Sequence, residues 1–185
     1  MAERPAVKIG MVGAGFIADT RARAYAGVSG QRVCIAAVAS RTRSRAESFA
    51  ARHGVPDVYD DYRSLLERPD IDAVDLCVPN PVHRPIAEEA AAFGKHVIVA
   101  KPLTAFEGPG SVGRREMLRV ADENATAMIE AARRHGVLLM YAENWVYAPS
   151  IAKAARLAEA AGGAILEMRG GECHSGSHSP YSKEW

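Results

Sequence analysis

A lysine stands directly after an apolar run in the stretch "HVIVAKPLT", residues 96–104. The run has the length and composition of a buried strand, and the proline after Lys101 cannot continue a sheet. A lysine at such a strand end would donate or accept a proton, or hold a negative charge that develops on a substrate oxygen. The alternative is an ordinary solvent-facing lysine that does no chemistry.

A glycine turn near the N-terminus is the second candidate site. The stretch "GMVGAGFIADT" contains Gly13, Gly15 and Ala18 in the pattern G-x-G-x-x-A, where an apolar run passes into a helical pattern. We expect Gly13 to permit a tight turn, Gly15 to let the backbone approach a pyrophosphate, and Ala18 to pack close to the strand. The helix start, with Phe16 and Ile17, would supply amide donors. The pattern predicts dinucleotide binding, and a purely structural turn is the alternative.

The residues after the second apolar run indicate which dinucleotide binds. The sequence there is "VASRTRSRAE", with Ser40 in the place where an acidic residue would bind the ribose hydroxyls of NAD. A small hydroxyl followed by arginines suits a 2′-phosphate, because a guanidinium group offers phosphate a planar fork of donors. The sequence therefore favours NADP over NAD, with Ser40 and Arg41 as the closest contacts and Arg43 as a further one. A solvated first helical turn is the alternative.

Alternating apolar runs and helical patterns would position these residues. The runs cover 7–12, 32–39, 73–78, 96–100 and 137–142, and the helical patterns cover 16–26, 42–53, 82–93 and 119–135. Strands that are apolar on both sides and separated by helices indicate a parallel sheet covered on both faces. The sequence therefore predicts a Rossmann-type, doubly wound α/β domain, whose ligands bind at the carboxyl ends of the strands.

Two further segments depart from this alternation. Residues 104–118 are rich in glycine and proline and predict a surface insertion or lid. From Pro149 a new helical pattern runs to Gly162, and a single strand is predicted over 164–172. We therefore expect a dinucleotide-binding domain over 1–146 and the start of an incomplete α/β sheet domain for substrate binding and oligomerisation over 147–185. A lone strand needs a partner, so a homo-oligomer is expected.

Composition excludes several classes of partner. The formal net charge of +1 provides no strong field for nucleic acid or a membrane surface, and no apolar run approaches the roughly 20 residues that span a bilayer. Three scattered cysteines, Cys34, Cys77 and Cys173, indicate a reduced, cytoplasmic setting. Cys173 is followed by His174 and His178, but no second ligand pair accompanies them, so no metal site is predicted.

Three signals occur together in this order: the glycine turn, "CVPNPVH" at 77–83 and "KP" at 101–102. Together they resemble the Gfo/Idh/MocA oxidoreductase family, which includes glucose-fructose oxidoreductase and inositol dehydrogenase. The resemblance implies an N-terminal Rossmann domain followed by a C-terminal α/β domain. It also implies hydride transfer between a nicotinamide cofactor and a small-molecule substrate, at a hydroxyl or carbonyl carbon of a sugar, cyclitol or related polyol.

The resemblance assigns roles to single residues. Lys101 takes the place of the catalytic lysine in the family's E-K-P motif, with Pro102 beside it, but Ala100 stands where the glutamate would be. A length shorter than that of family members implies a C-terminally truncated chain, with little turnover by itself because most of the substrate wall is missing. The absent carboxylate favours a protein that is not an enzyme. The alternatives are a non-catalytic dinucleotide-binding sensor or regulator on the same fold, or an inactive fragment of such an enzyme.

The resemblance also points to the loop after the third long apolar run. Pro79, Asn80 and His83 match the family's P-N-x-x-H loop, which lies along the cofactor near its nicotinamide half. His83 would contact cofactor or substrate, or else cap the helix that follows. Glu143 and Asn144 lie where family members line the cofactor and substrate cleft.

Overall fold

The computed structural model describes residues 6–28, 32–106, 108–169 and 171. The chain divides into two compact units, with the division between Ala142 and Glu143. The first unit contains a six-stranded sheet and five helices, and the second contains one further helix, within the residues described. No helix in the described part of the chain is both long and apolar enough to cross a membrane.

The sheet of the first unit is parallel throughout. Its strands are β1 (Val7–Val12), β2 (Val33–Ala39), β3 (Asp57–Tyr59), β4 (Ala73–Leu76), β5 (His96–Ala100) and β6 (Leu139–Ala142). They lie in the order β3-β2-β1-β4-β5-β6, and each neighbouring pair is parallel. The predicted doubly wound parallel sheet is confirmed. The strand order reverses between β1 and β4, which opens a crevice at their carboxyl ends.

The five α-helices of the first unit cover both faces of this sheet, and a sixth α-helix lies in the second unit. They are α1 (Phe16–Ala26), α2 (Arg43–His53), α3 (Tyr62–Leu66), α4 (His83–Ala92), α5 (Arg114–His135) and, in the second unit, α6 (Pro149–Ala161). One core cluster includes Phe49 of α2 and Met11 of β1, and a second includes Leu65 of α3, Ile86 of α4 and Met128 of α5. The sheet therefore lies between two apolar layers, which hold its carboxyl edge in place.

Three predictions about these elements need correction. β3 and α3 are absent from the prediction, because three and five residues are too few to establish a period. α5 begins at Arg114 rather than at 119, so the predicted insertion is shorter than 104–118. Its first turns are stabilised by ion pairs of Arg119 with Glu116 and Glu123, at helical spacing.

The strand predicted over 164–172 is wrong for residues 164–169, which form neither strand nor helix. No strand is described within the second unit, so an extended segment there lacks a neighbouring strand of its own unit to pair with. Leu166 is 95% exposed, which fits a segment without a packed face. The helix predicted from Pro149 to the glycine pair is confirmed, while Gly170 and residues 172–185 lie outside the described residues.

Candidate functional site

The glycine turn joins β1 to α1 at the centre of the carboxyl edge. Gly13 has φ +103°, a conformation that side chains rarely adopt, and its amide donates to the Ala39 carbonyl over 2.8 Å. A Cβ atom at this position would overlap the carbonyl group of Cys77, whose carbon lies 2.9 Å from the Cβ position. Glycine is therefore required at position 13 by the backbone conformation and by the close approach of the chain after β4.

Gly15 faces open space at the start of α1. Its backbone is extended, with φ −98° and ψ −167°, and a Cβ atom built on it meets nothing within 4 Å. No side chain caps α1, so the first-turn amides, including those of Phe16 and Ile17, are free of a capping group. Ala18 is fully buried, as predicted, which lets the helix pack closely on the sheet. Open space beside a helix N-terminus fits a pyrophosphate.

An acidic residue, Asp19, lies in the first turn of α1, where its charge would oppose an anion. His53 Nε2 lies 2.7 Å from Asp19 Oδ1, and Arg52 donates to the same oxygen over 2.8 Å. Burial alone would raise the pKa of Asp19, but hydrogen bonds from Arg52 and His53 outweigh it and hold that pKa below its ordinary value. The carboxylate is therefore compensated by α2, and the helix start remains suited to phosphate.

The end of β2 carries the residues predicted to select the dinucleotide. The Ser40 amide donates to the Tyr59 carbonyl over 3.1 Å, and Ser40 Oγ accepts from the Thr42 amide over 3.3 Å. Arg41 is exposed, and no described residue forms an ion pair or hydrogen bond with its guanidinium group. Ser40 and Arg41 therefore lie at this edge, and their contact with a 2′-phosphate stays a prediction.

Arg43 differs from Arg41, because its guanidinium group is already paired. Its Nε donates to Glu47 Oε1 over 3.0 Å and its Nη1 donates to Asp60 Oδ2 over 3.2 Å. These hydrogen bonds, first the one to Glu47 and then the one to Asp60, raise the pKa of Arg43. Sequence reasoning missed both partners. Glu47 lies four residues after Arg43, so this pair could have been predicted from the helical spacing. Asp60 follows β3, a strand that was not predicted from the sequence.

The loops after β4 and β5 are tied to each other. Pro79 precedes a short 3-10 turn over Asn80–Val82, and the Asn80 side chain donates from Nδ2 to the Pro102 carbonyl over 2.8 Å. Pro79 and Pro102 are both exposed at this edge. The structure therefore brings Pro79, Asn80 and Pro102 together, which agrees with a shared role in lining one site.

His83 joins the same two loops from beneath. It is 1% exposed, with Nε2 3.0 Å from the Val78 carbonyl and Nδ1 3.1 Å from the Leu103 carbonyl. Both neighbours are carbonyl acceptors, and the tautomer of the ring decides which of its nitrogens donates. The structure gives His83 the role of a buried tie between the loops. It does not cap α4, and its contact with a cofactor stays a prediction.

Lys101 lies one residue beyond β5, exposed at the same edge. Within the described chain no side chain pairs with its ammonium group, and the peptide bond to Pro102 is cis. Ala100 before it is buried and pairs with Ala142 of β6. Position 100 therefore supplies no carboxylate beside Lys101.

A buried polar cluster beneath the glycine turn was not predicted. Asp75 of β4 is fully buried; Arg21 Nη1 lies 3.1 Å from its Oδ1, and the Tyr25 hydroxyl donates to its Oδ2 over 2.6 Å. Burial raises the pKa of Asp75, and the charge of Arg21 and the hydroxyl of Tyr25 oppose this only in part. Burial also raises the pKa of the Cys77 thiol, which donates to Asp75. The cluster anchors α1 to β4. The sequence feature that could have indicated it is an acidic residue within an apolar strand.

The remaining candidates belong to the second unit or lie outside the description. Glu143 and Asn144 begin the second unit, where the Asn144 amide donates to Glu143 Oε1 over 2.8 Å. Cys173, His174 and His178 lie outside the described residues. Among the residues that are described, no three His, Cys, Asp or Glu side chains are arranged to hold a metal ion.

Comparison with known proteins gives these features a context. Residues 7–143 match the Gfo/Idh/MocA family model, described as an oxidoreductase family with an NAD-binding Rossmann fold. Levoglucosan dehydrogenase from Pseudarthrobacter phenanthrenivorans is 30% identical over 183 residues, which cover 95% of this chain and 43% of the relative.

Solved structures agree with this match. A levoglucosan dehydrogenase in complex with NADH has a TM-score of 0.72 at 28% identity, covering 84% of this chain and 40% of that chain. A 3-ketoreductase from Actinomadura kijaniata, in complex with TDP-benzene and NADP, has a TM-score of 0.67 at 28% identity, covering 83% and 43%. The chain thus spans less than half the length of the relatives it matches here.

Proposed function

The chain belongs to the Gfo/Idh/MocA family of oxidoreductases, and from this premise we propose that it binds a nicotinamide dinucleotide for hydride transfer. The substrate is a sugar, cyclitol or related polyol, reacting at a hydroxyl or carbonyl carbon. One observation carries the proposal: the open glycine turn and the exposed Lys101 stand at the same carboxyl edge of one parallel sheet. Named relatives that act on levoglucosan or a ketone group support it.

The residues present fit the dinucleotide. The space in front of Gly15 and the uncapped start of α1 suit its pyrophosphate, and the compensated Asp19 does not oppose it. Ser40 and Arg41 suit a 2′-phosphate, so we propose a preference for NADP over NAD. Neighbours of this fold bind either NADH or NADP, which makes the end of β2 the place to test that preference.

Lys101 is the proposed acid/base. When bound, the dinucleotide accepts the hydride in oxidation and supplies it in reduction. Lys101 takes the substrate hydroxyl proton as the carbon is oxidised, and returns it to the carbonyl oxygen in the reverse direction. Asn80 and His83 hold the loops on either side of this lysine, and Pro79 and Pro102 line the same edge.

We further propose that residues 1–146 act as the dinucleotide-binding domain and that residues from 147 onward contribute to a substrate-binding and oligomer-forming domain. Two observations support this: the break in contacts between Ala142 and Glu143, and a new helix from Pro149. A homo-oligomer is also proposed, although the predicted strand that supported it is not formed by residues 164–169.

A second function has one observation in its favour. Ala100 is buried beside Lys101 and offers no carboxylate to the site, which suits a dinucleotide sensor that does not turn over substrate. Such a protein would bind NADPH through the same turn. It would show no change in NADPH absorbance with any member of a sugar and polyol panel.

The test combines binding with turnover. We expect wild type to bind NADPH, measured by fluorescence, and to reduce NADP only slowly with at least one sugar or polyol of the panel, since little turnover is expected of this chain by itself. Lys101→Ala should lower kcat by about a hundredfold or more, because the proton acceptor is lost, while NADPH affinity stays within about twofold. Lys101→Arg should keep the charge and not restore kcat. Lys153→Ala, an exposed lysine of α6, is the matched control.

Full turnover in Lys101→Ala would contradict the role of Lys101. NADPH binding by wild type with no turnover across the panel would contradict an active enzyme and favour the sensor or an inactive fragment.

A further inference from the structure

The two arginines at the end of β2 have different electrostatic surroundings. Arg41 has no partner among the described residues, whereas Arg43 donates to both Glu47 and Asp60. Building on the proposed function, we propose that Asp60 tunes selectivity between NADPH and NADH, by withholding Arg43 from the 2′-phosphate. Asp60 is a positioning residue, because it acts through Arg43.

The register of the sheet puts Asp60 at the edge in question. Ala39 of β2 pairs with Tyr59 of β3, so Ser40 and Asp60 are the next residues on two neighbouring parallel strands. The Ser40 amide hydrogen-bonds to the Tyr59 carbonyl and keeps the two strand ends together. The Asp60 carboxylate therefore stands at the edge where the ribose end of the dinucleotide would be selected.

Arg43 is engaged through two of its donor nitrogens. Nε points to Glu47 and Nη1 points to Asp60, and a phosphate bound by the guanidinium fork would compete for these N–H groups. Arg43 therefore contributes less to phosphate binding than its sequence position suggests, and Arg41 contributes more.

Asp60 and Glu47 reach Arg43 from different elements of the fold. Glu47 pairs with Arg43 along the same helix, at a spacing of four residues, so its charge lies one turn further into α2. Asp60 comes from the neighbouring strand end and is itself exposed, with 60% of its side chain accessible. An exposed pair of this kind is weak, so its removal changes affinity modestly and leaves the fold intact.

The experiment measures affinities for NADPH, NADH, 2′,5′-ADP and ADP by titration calorimetry, at one low salt concentration. D60N should bind NADPH and 2′,5′-ADP about two- to fivefold more tightly, a size set by exposed ion pairs. NADH and ADP affinities should stay unchanged. R41A should lose about tenfold or more in NADPH affinity, since a hydrogen bond to a charged group is lost, and R43A should lose less.

The double variant D60N/R43A tests the mechanism, because it removes the residue through which Asp60 acts. The gain seen in D60N should vanish in this background. E88Q is the matched control: Glu88 is an exposed acid paired with Arg84 on α4, so the net charge changes equally at another place. NADPH affinity should not change in E88Q, and thermal melts of all variants should match wild type.

Two results would overturn the inference alone. One is an equal change in NADPH and NADH affinity in D60N, and the other is a gain that persists in D60N/R43A. A wild-type chain that binds none of the four probes would instead overturn the proposed function, and this inference with it.

Discussion

Side chains hydrogen-bond to main-chain carbonyl groups to join the loops after β4 and β5. The ends of β2 and β3 are joined instead by one main-chain hydrogen bond and by an ion pair between exposed side chains. His83, buried, lies between two carbonyl oxygens, and Asn80 donates to a third. On the other side, Arg43 and Asp60 meet in solvent. The first arrangement centres on a buried ring and depends on packing. The second depends on charge and is screened by salt.

The difference separates two tasks at one edge of the sheet. The loops near Lys101 are held by the buried His83, and replacement of that ring should destabilise the fold. The region near Ser40 can change its charges with little effect on stability, because its side chains are exposed. In the proposed enzyme, the nicotinamide half of the cofactor would bind near Lys101, where the loops are held by a buried ring. The ribose 2′-phosphate would bind near Ser40, where exposed charges can be changed.

Substitution of the first glycine should have the largest effect. Gly13→Ala should lower the free energy of unfolding by about 3 kcal/mol or more, because a left-handed backbone is strained and the Cβ overlaps the Cys77 carbonyl. Urea unfolding measures this loss.

Gly15→Ala is the matched control for that change. Its Cβ meets open space, so unfolding should change by less than about 1 kcal/mol. NADPH binding should nevertheless be lost, because the methyl group occupies the space proposed for the pyrophosphate. Equal destabilisation of both variants, or NADPH binding by Gly15→Ala, would contradict the assignment.

Removal of the buried ring should have the second largest effect. His83→Leu should lower the free energy of unfolding by about 2–3 kcal/mol, because the buried ring no longer hydrogen-bonds the loops after β4 and β5. Asn80→Ala, at the exposed end of the same tie, should lose no more than about 1 kcal/mol. Chemical denaturation curves of the two variants measure the contrast. Equal losses would remove the distinction between the buried and the exposed part of this region.

An acid at the end of β2 should have the smallest effect on stability. Ser40→Asp should change the free energy of unfolding by less than about 0.5 kcal/mol, because the site is at the surface. NADPH affinity should fall by about tenfold, since a carboxylate beside Arg41 repels the 2′-phosphate, and NADH affinity should rise. Fluorescence titrations measure both. Unchanged selectivity would mean that the end of β2 does not select the cofactor.

Much of the fold was predictable because its signals are local. The bounds of β1, α1 and β5 agree with the sequence pattern, since each is a long uniform run that ends at a glycine or before a proline. Short elements carry too little pattern, which is why β3 and α3 were missed. The segment over 164–169 shows the opposite error, because an apolar stretch alone does not supply a strand partner.

The candidate site was likewise predictable only where it depends on neighbouring residues in the sequence. Gly13 and Gly15 were predictable because a turn depends on neighbouring residues. The pairing of Arg43 with Asp60 was not, because it depends on which strand lies beside β2. The tie through His83 likewise depends on the approach of two loops that are twenty residues apart. Asp75 was detectable as an acid within "AVDLCV", but its partners on α1 follow only from the packing of that helix.

The position of β3 has a consequence for how fast this protein exchanges its amide hydrogens. β3 has three residues and lies at an edge of the described sheet, next to β2, whereas β1 and β4 lie within it. Short edge strands open locally more often than central ones, so the β3 amides should exchange soonest. Selection of the cofactor would then take place where the sheet opens most readily. A ligand that bridges Arg41 and the strand ends would slow that exchange, leaving the central amides unaffected.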